Sequence, residues 1–223
     1  MKNFGKMNWT IRRSVCAVAL AALMFALCTP EAHGGSKKQE DIYDLTLDDN
    51  LGTPEINNDK RAKKIEKYQY DVAVELKRQN LDVEMMRDDE VIIVSFPASQ
   101  LFLPNDTVLT DLGKASLKPM LKFLKNPGFY KMLLVMHSDN TGSDKYTLTL
   151  SRSRVNSVFD WFDANGSVDF VVPYALGSTD PLVPNNSVEN RKMNRRLEIY
   201  LVPGDVMIDQ SKKDKININY ISK

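Results

Sequence analysis

Cysteine is nearly absent from this chain. Cys16 and Cys28 are the only two in 223 residues, and both precede residue 35. Any domain beyond that point is therefore built without a disulfide framework and without thiolate ligands for zinc. Histidine is as scarce, with His33 and His137 alone, so no histidine-rich metal centre is expected and no cofactor is implied. Excess charge of one sign is missing too. Lys+Arg number 30 against 29 Asp+Glu, and no basic stripe interleaved with aromatics occurs, which gives no case for nucleic acid. No base–nucleophile constellation stands out, which argues against an enzyme. Long apolar runs are confined to residues 14–27, "SVCAVALAALMFAL". That run is shorter than the roughly 20 residues a membrane-spanning helix needs.

What is present is organised from the N-terminus. Lys2, Lys6, Arg12 and Arg13 precede the apolar run, and "CTPEAHGG" follows it. Basic residues, a short apolar core and small residues make an export signal over residues 1–34. Cleavage after Ala32-His33-Gly34 leaves 26 basic and 28 acidic residues, a formal charge of −2. The alternative is a lipid on Cys28, which would be the chain's sole membrane attachment. Leu27 stands before Cys28, where lipoprotein signals usually have a small residue.

The whole chain is 43% hydrophobic and 26% charged, which fits an ordinary globular protein. Residues 35–58 are polar with sparse apolar residues and are expected to be a flexible linker. In 59–80, Ile65, Tyr68, Val72 and Leu76 recur at helical spacing. This helix is expected to pack on the domain, with docking of an envelope protein as its alternative use. Asp88-Asp89 marks a turn between two strand-like pieces, so residues 59–89 read as a helix with a short strand extension. "EVIIVSF" and the unbroken apolar "FYKMLLVMH" are strands, the latter buried on both faces. Between them Leu112, Leu117, Leu121 and Leu124 line a helix that Pro119 is expected to shift or kink. A helix over about 144–164 follows, then strands "DFVVPYALG" and "RRLEIYLV", and a polar tail over 204–223 in which "ININYI" alternates as an edge strand would. The predicted fold is α+β, a mixed four-stranded sheet with helices packed on one face.

One residue breaks the pattern of the helix over 144–164. On a helical wheel, one half carries Leu150, Trp161, Val158, Phe162, Val155 and Phe159, together with Thr147 and Ser151. Arg154 lies in that half, about 40° from Leu150. A guanidinium on a core-facing stripe requires partners, because an unpaired charge away from water is expensive. Asp139, at the end of the preceding strand, is the nearest acid in topology. One reading pairs Asp139 with Arg154 to stiffen the loop. The other has the two flank a small zwitterion, Asp139 taking an ammonium and Arg154 a carboxylate through its planar fork. Arg195 and Arg196 open the last strand with opposite parities. Either can border such a site, and a cross-strand ion pair is the plainer role for them.

Residues 90–203 resemble the OmpA-like domain, a peptidoglycan-binding module of Gram-negative envelopes. The family pattern G-H-T-D-x-x-G, then N-x-x-L-S-x-x-R-A, is matched by Met136-His137-Ser138-Asp139-Asn140-Thr141-Gly142 and by Thr147 through Val155. "QLFLPNDTVLT", "ALGSTDPLVPNN" and "NRKMNRRLEIYL" resemble the flanking motifs. The resemblance implies a βαβαββ fold and non-covalent binding of the diaminopimelate side of a peptidoglycan stem peptide. By the same resemblance Asp139 and Arg154 bind the ligand, and Thr147, Asn140, Thr141 and Arg196 are expected at its margin. It also implies a periplasmic location at the outer membrane or wall. Met136, Thr147, Val155, Ser178 and Asn190 depart from the family's glycine, asparagine, alanine, loop acid and glycine.

Overall fold

β-branched and large apolar residues in unbroken runs favour strands covered on both sides, and the centre of this molecule is such a sheet. The computed structural model describes residues 42–56, 58–213 and 216. In chain order the elements are α1 (Leu47–Gly52), α2 (Asp59–Arg78), β1 (Asp82–Met86), β2 (Val91–Pro97), α3 (Ala98–Leu101) and α4 (Asp111–Leu117). A 3-10 stretch (Lys118–Lys125) leads to β3 (Tyr130–His137), α5 (Asp144–Asp163), β4 (Val171–Gly177), α6 (Val188–Asn194), β5 (Arg196–Pro203) and α7 (Asp205–Lys212). The strand order is β1-β2-β5-β3-β4. β3 and β4 run parallel, joined through α5, and the other pairs are antiparallel.

Among the described residues the sheet has five strands, where the sequence reading has four. The fifth is the short extension 82–86, which pairs with β2 across the Asp88-Asp89 turn, Asp82 opposite Ser95 and Met86 opposite Val91. Arg87, Asp88 and Asp89 all have positive φ, and that tight reversal brings the extension back as an edge strand.

On one face, α2, α5 and the α4/3-10 segment cover Ile92, Val94, Leu134, Met136, Leu197 and Ile199. In α2 the residues at helical spacing, Ile65, Tyr68, Val72 and Leu76, are buried. This is the packing expected of it, and it leaves that apolar stripe covered by its own domain. Pro119 marks the change from α-helix to 3-10 helix, since it lacks the N–H that an α-helix uses. Leu112 departs from expectation. It stands 67% exposed on α4, because a position five residues before buried Leu117 lies about 140° away around an α-helix, and Met120 and Phe123 are buried in the 3-10 stretch that follows.

The second sheet face is covered as well, by residues expected to be linker. Ile42, Leu47 and Leu51 pack on Ile93, Leu133, Val135, Val172, Tyr200 and Val202. Polar contacts latch this strap in place. Lys131 Nζ donates to Thr53 O at 2.6 Å, and Arg87 donates to Leu51 O at 2.7 Å and Pro54 O at 2.9 Å. Tyr174 Oη donates to Leu45 O at 2.9 Å, and buried Asn50 donates to Ile42 O and Tyr174 Oη, both at 2.6 Å. Over residues 42–54 the linker reading fails, because the strap's apolar residues pack on a pre-formed apolar sheet face, a fact local composition does not carry. The tail likewise opens with α7, whose Met207 is buried. The alternating 216–221 segment lies outside the described residues apart from Ile216, which packs on the core. Among the described residues no helix is long and apolar enough to cross a membrane.

Candidate ligand-binding site

β3 carries the loop acid to one end of the sheet. Its pairing continues past His137 through Ser138 N–H to Gly177 O at 2.7 Å, so Asp139 leaves the strand in a fixed direction, 4% exposed. Opposite, the register with β4 shifts between Met136 and His137. Gly177 sits at that irregularity with φ +56°, and a Cβ there would meet Leu148 N at 3.0 Å. Glycine thus lets β4 pass directly beneath the first turns of α5. Ser143 caps that helix by accepting from Tyr146 N–H at 3.2 Å.

Each of the two central charges has its own partners. Asp139 Oδ1 accepts from Thr141 N–H at 2.9 Å, and Oδ2 is ion-paired with Arg195 Nη1. Arg154, 6% exposed, donates from Nε to Asp106 O at 2.8 Å and from Nη2 to Leu103 O at 3.3 Å. Its guanidinium carbon lies 5.0 Å from the centroid of the Phe102 ring, a cation–π distance. Burial, with the nearby positive charge of Arg195 acting in the same direction, pushes the Arg154 guanidinium below its ordinary value. Asp139 and Arg154 therefore do not pair with each other. The 102–110 loop, closed by the Phe102–Leu109 bridge, holds the arginine through backbone carbonyls.

The remaining expected residues divide. Thr147 is buried at the site, its Oγ1 donating to Asp144 O at 3.0 Å and standing 3.5 Å from Ser178 Oγ. Two departures from the family pattern, Thr147 and Ser178, thus face one another. Asn140 and Thr141 are exposed in the loop, and Thr141 contributes its backbone N–H to Asp139. Arg196 is not at the site. It lies on the opposite sheet face, donating from Nε to Glu198 Oε1 at 2.8 Å and from Nη1 to Asn194 O at 3.3 Å. Strand parity is the reason: Arg196 follows Glu198 and Tyr200, whereas Arg195, just before the strand, is the arginine that reaches Asp139. The signal was legible, because Arg195 shares parity with Leu197 and Ile199, which face the helix bearing Arg154.

His137 is also more than a strand end. Buried on the Arg196 side, its Nδ1 stands 3.2 Å from Asp180 O and its Nε2 3.4 Å from Glu198 Oε2. Tyr200 Oη donates to the same carboxylate. Burial alone would raise the Glu198 carboxyl, but His137, Arg196 and Tyr200 together hold it well below the carboxylate range. This network braces the strand ends that deliver Asp139 and Arg195.

No family model matches the chain. It is 26% identical over 128 residues to "Probable lipoprotein YiaD" of Escherichia coli, an alignment covering 57% of this chain and 58% of that one. It is 39% identical over 64 residues to the peptidoglycan-binding protein ArfA of Mycobacterium tuberculosis, covering 28% of this chain and 20% of ArfA. The matches thus span 58% of the first relative's length and a fifth of the second's. Among solved structures, a MotB-like protein from Desulfovibrio vulgaris superposes with a TM-score of 0.56 at 22% identity, over 64% of this chain and 98% of that one. At that identity the likeness is one of fold.

Proposed function

We propose that this chain is an exported, non-enzymatic module that binds peptidoglycan non-covalently and ties the outer envelope to the cell wall. The stem peptide is held through the side-chain zwitterion of a diaminopimelate-type residue. Asp139 takes its ammonium and Arg154 its carboxylate, with Thr147, Asn140 and the Thr141 amide at the margin. The observation that carries this reading is the separate anchoring of the two charges. Arg154 is aimed by carbonyls of the 102–106 loop and stacked on Phe102, and Asp139 is aimed by the Thr141 amide. Two such buried charges that do not neutralise one another suit a guest with charges of both signs. The peptidoglycan-binding relative supports the ligand class.

Docking of an envelope protein through α2 is the weaker reading, since the apolar stripe of that helix is already buried in the domain. For attachment, the relative named as a lipoprotein favours a lipid on Cys28 over cleavage near Gly34. Sedimentation with purified sacculi tests the main proposal. Wild type should pellet with the wall. D139A and R154A should each stay in the supernatant while keeping a native circular-dichroism spectrum. Full retention of both variants would exclude the site, and release of soluble wall fragments would show an enzyme instead.

A further inference from the structure

Both oxygens of the Asp139 carboxylate have a partner before any guest arrives. Thr141 N–H donates to Oδ1 and Arg195 Nη1 is ion-paired with Oδ2, and the group is almost wholly withdrawn from water. A guest ammonium that pairs with Oδ2 does so by displacing Arg195. The two arginines differ in their freedom to move. Arg154 is tied at Nε, at Nη2 and over the Phe102 ring. The Arg195 side chain is 34% exposed, and Asp139 is its one hydrogen-bonding partner among the described residues. Its backbone, by contrast, is pinned. Arg195 N–H donates to Arg191 O at 3.1 Å and its carbonyl accepts from Ala98 N–H at 2.9 Å. The displaced guanidinium therefore stays near the mouth of the site without a carboxylate partner, close to the buried cation of Arg154.

We propose that Arg195 is a specificity-determining residue: it holds the ammonium position in the empty site and yields it only to a guest that brings a carboxylate for Arg195 to take up. Resting on the reading that Asp139 receives the ammonium, this makes binding an exchange of ion pairs. The Asp139–Arg195 pair is replaced by Asp139 with the guest's ammonium and Arg195, beside Arg154, with the guest's carboxylate. A zwitterion returns a partner to every charge it disturbs. A side chain with an ammonium but no carboxylate, as in lysine or in diaminopimelate amidated on its side chain, leaves Arg195 without one. The site then discriminates by penalising the wrong guest as well as rewarding the right one.

Isothermal titration of the mature chain with three soluble muropeptides tests this. Their third residues are diaminopimelate with a free side-chain carboxylate, the same residue amidated, and lysine. Wild type should favour the free carboxylate by roughly tenfold or more, the scale of one charged hydrogen-bond pair. In R195Q the ammonium position stands open. The amidated and lysine peptides should bind more tightly than to wild type, and the preference should fall to about twofold or less. R195K, which restores a cation on Asp139, should recover the preference, a rescue that a merely structural role would not give. An unchanged ratio in R195Q overturns the inference, as does equal loss of all three ligands in folded R195Q without rescue by R195K. If D139A and R154A abolish binding in the same titrations while the R195Q ratio stays at the wild-type value, the functional reading stands and the inference alone fails. Failure of folded wild type to bind any of the three overturns both.

Discussion

Glu198 accepts from Arg196 Nε at 2.8 Å and from the Tyr200 hydroxyl, and His137 Nε2 stands 3.4 Å from it. Its carboxyl is held below the ordinary 4.5 by those neighbours against the opposing effect of burial. A carboxylate depressed in the folded state contributes stability above its unfolded pKa and loses it as pH falls through the folded value. E198Q should therefore lower unfolding stability at pH 7 by about 3–5 kcal/mol, the scale of removing one partner from a buried ion pair. The gap to wild type should narrow steadily below pH 4.5 in urea denaturation series. Gly177 belongs to the same scale. G177A forces a left-handed φ on a residue with a Cβ and crowds Leu148 N, so a loss of about 1–3 kcal/mol is expected. Sacculus retention should weaken with it, because the first turns of α5 must shift.

At the scale of elements, the strap over residues 42–54 offers the clearest prediction. Lys131 is buried beneath it, and burial chiefly, with the charge of Arg87 also lowering it, pushes its ammonium down to about 8 from the ordinary 10.5. A lysine whose folded pKa is lowered holds its charge at a cost below that value. The unfolded chain binds more protons between pH 8 and 10.5, so stability rises with pH across that window. Wild type should thus gain in urea midpoint from pH 7 to pH 9.5, and K131M should not. Above about pH 10 the buried Tyr68 and Tyr130, whose hydroxyls are raised by burial, reverse the trend as the unfolded tyrosines ionise. Deleting residues 35–54 should bare Ile93, Leu133, Val135 and Tyr200 and raise binding of the apolar dye ANS. The periodic helices α2 and α5 and the unbroken strand β3 were legible because one face or both must be apolar. The strap was not, since a few apolar residues scattered among polar ones set no lasting period. The 3-10 turn after α4 was half legible, through Pro119.

For the whole molecule, the proposed attachment and the proposed wall binding call for separate tests. If the chain is processed as a lipoprotein, mass spectrometry of the mature form should find a lipid-modified N-terminus at Cys28. A mass beginning near Gly35 would assign the free form instead. Wall binding should weaken with salt, though modestly, because Asp139 and Arg154 are withdrawn from solvent and screened less than surface charges.

The order of strands and helices, and an arginine where a helix faces its core, could be read from the amino-acid sequence alone. Those are matters of local composition and period, which neighbouring residues fix between them. Only the tertiary structure decided the partner of each charge. Asp139 meets Arg195 and not Arg154, Arg196 turns to Glu198 on the far face, and Arg154 is held by backbone carbonyls that carry no sequence signature. A carbonyl is the same in every residue, and which one a guanidinium meets depends on where a loop 48 residues away is folded.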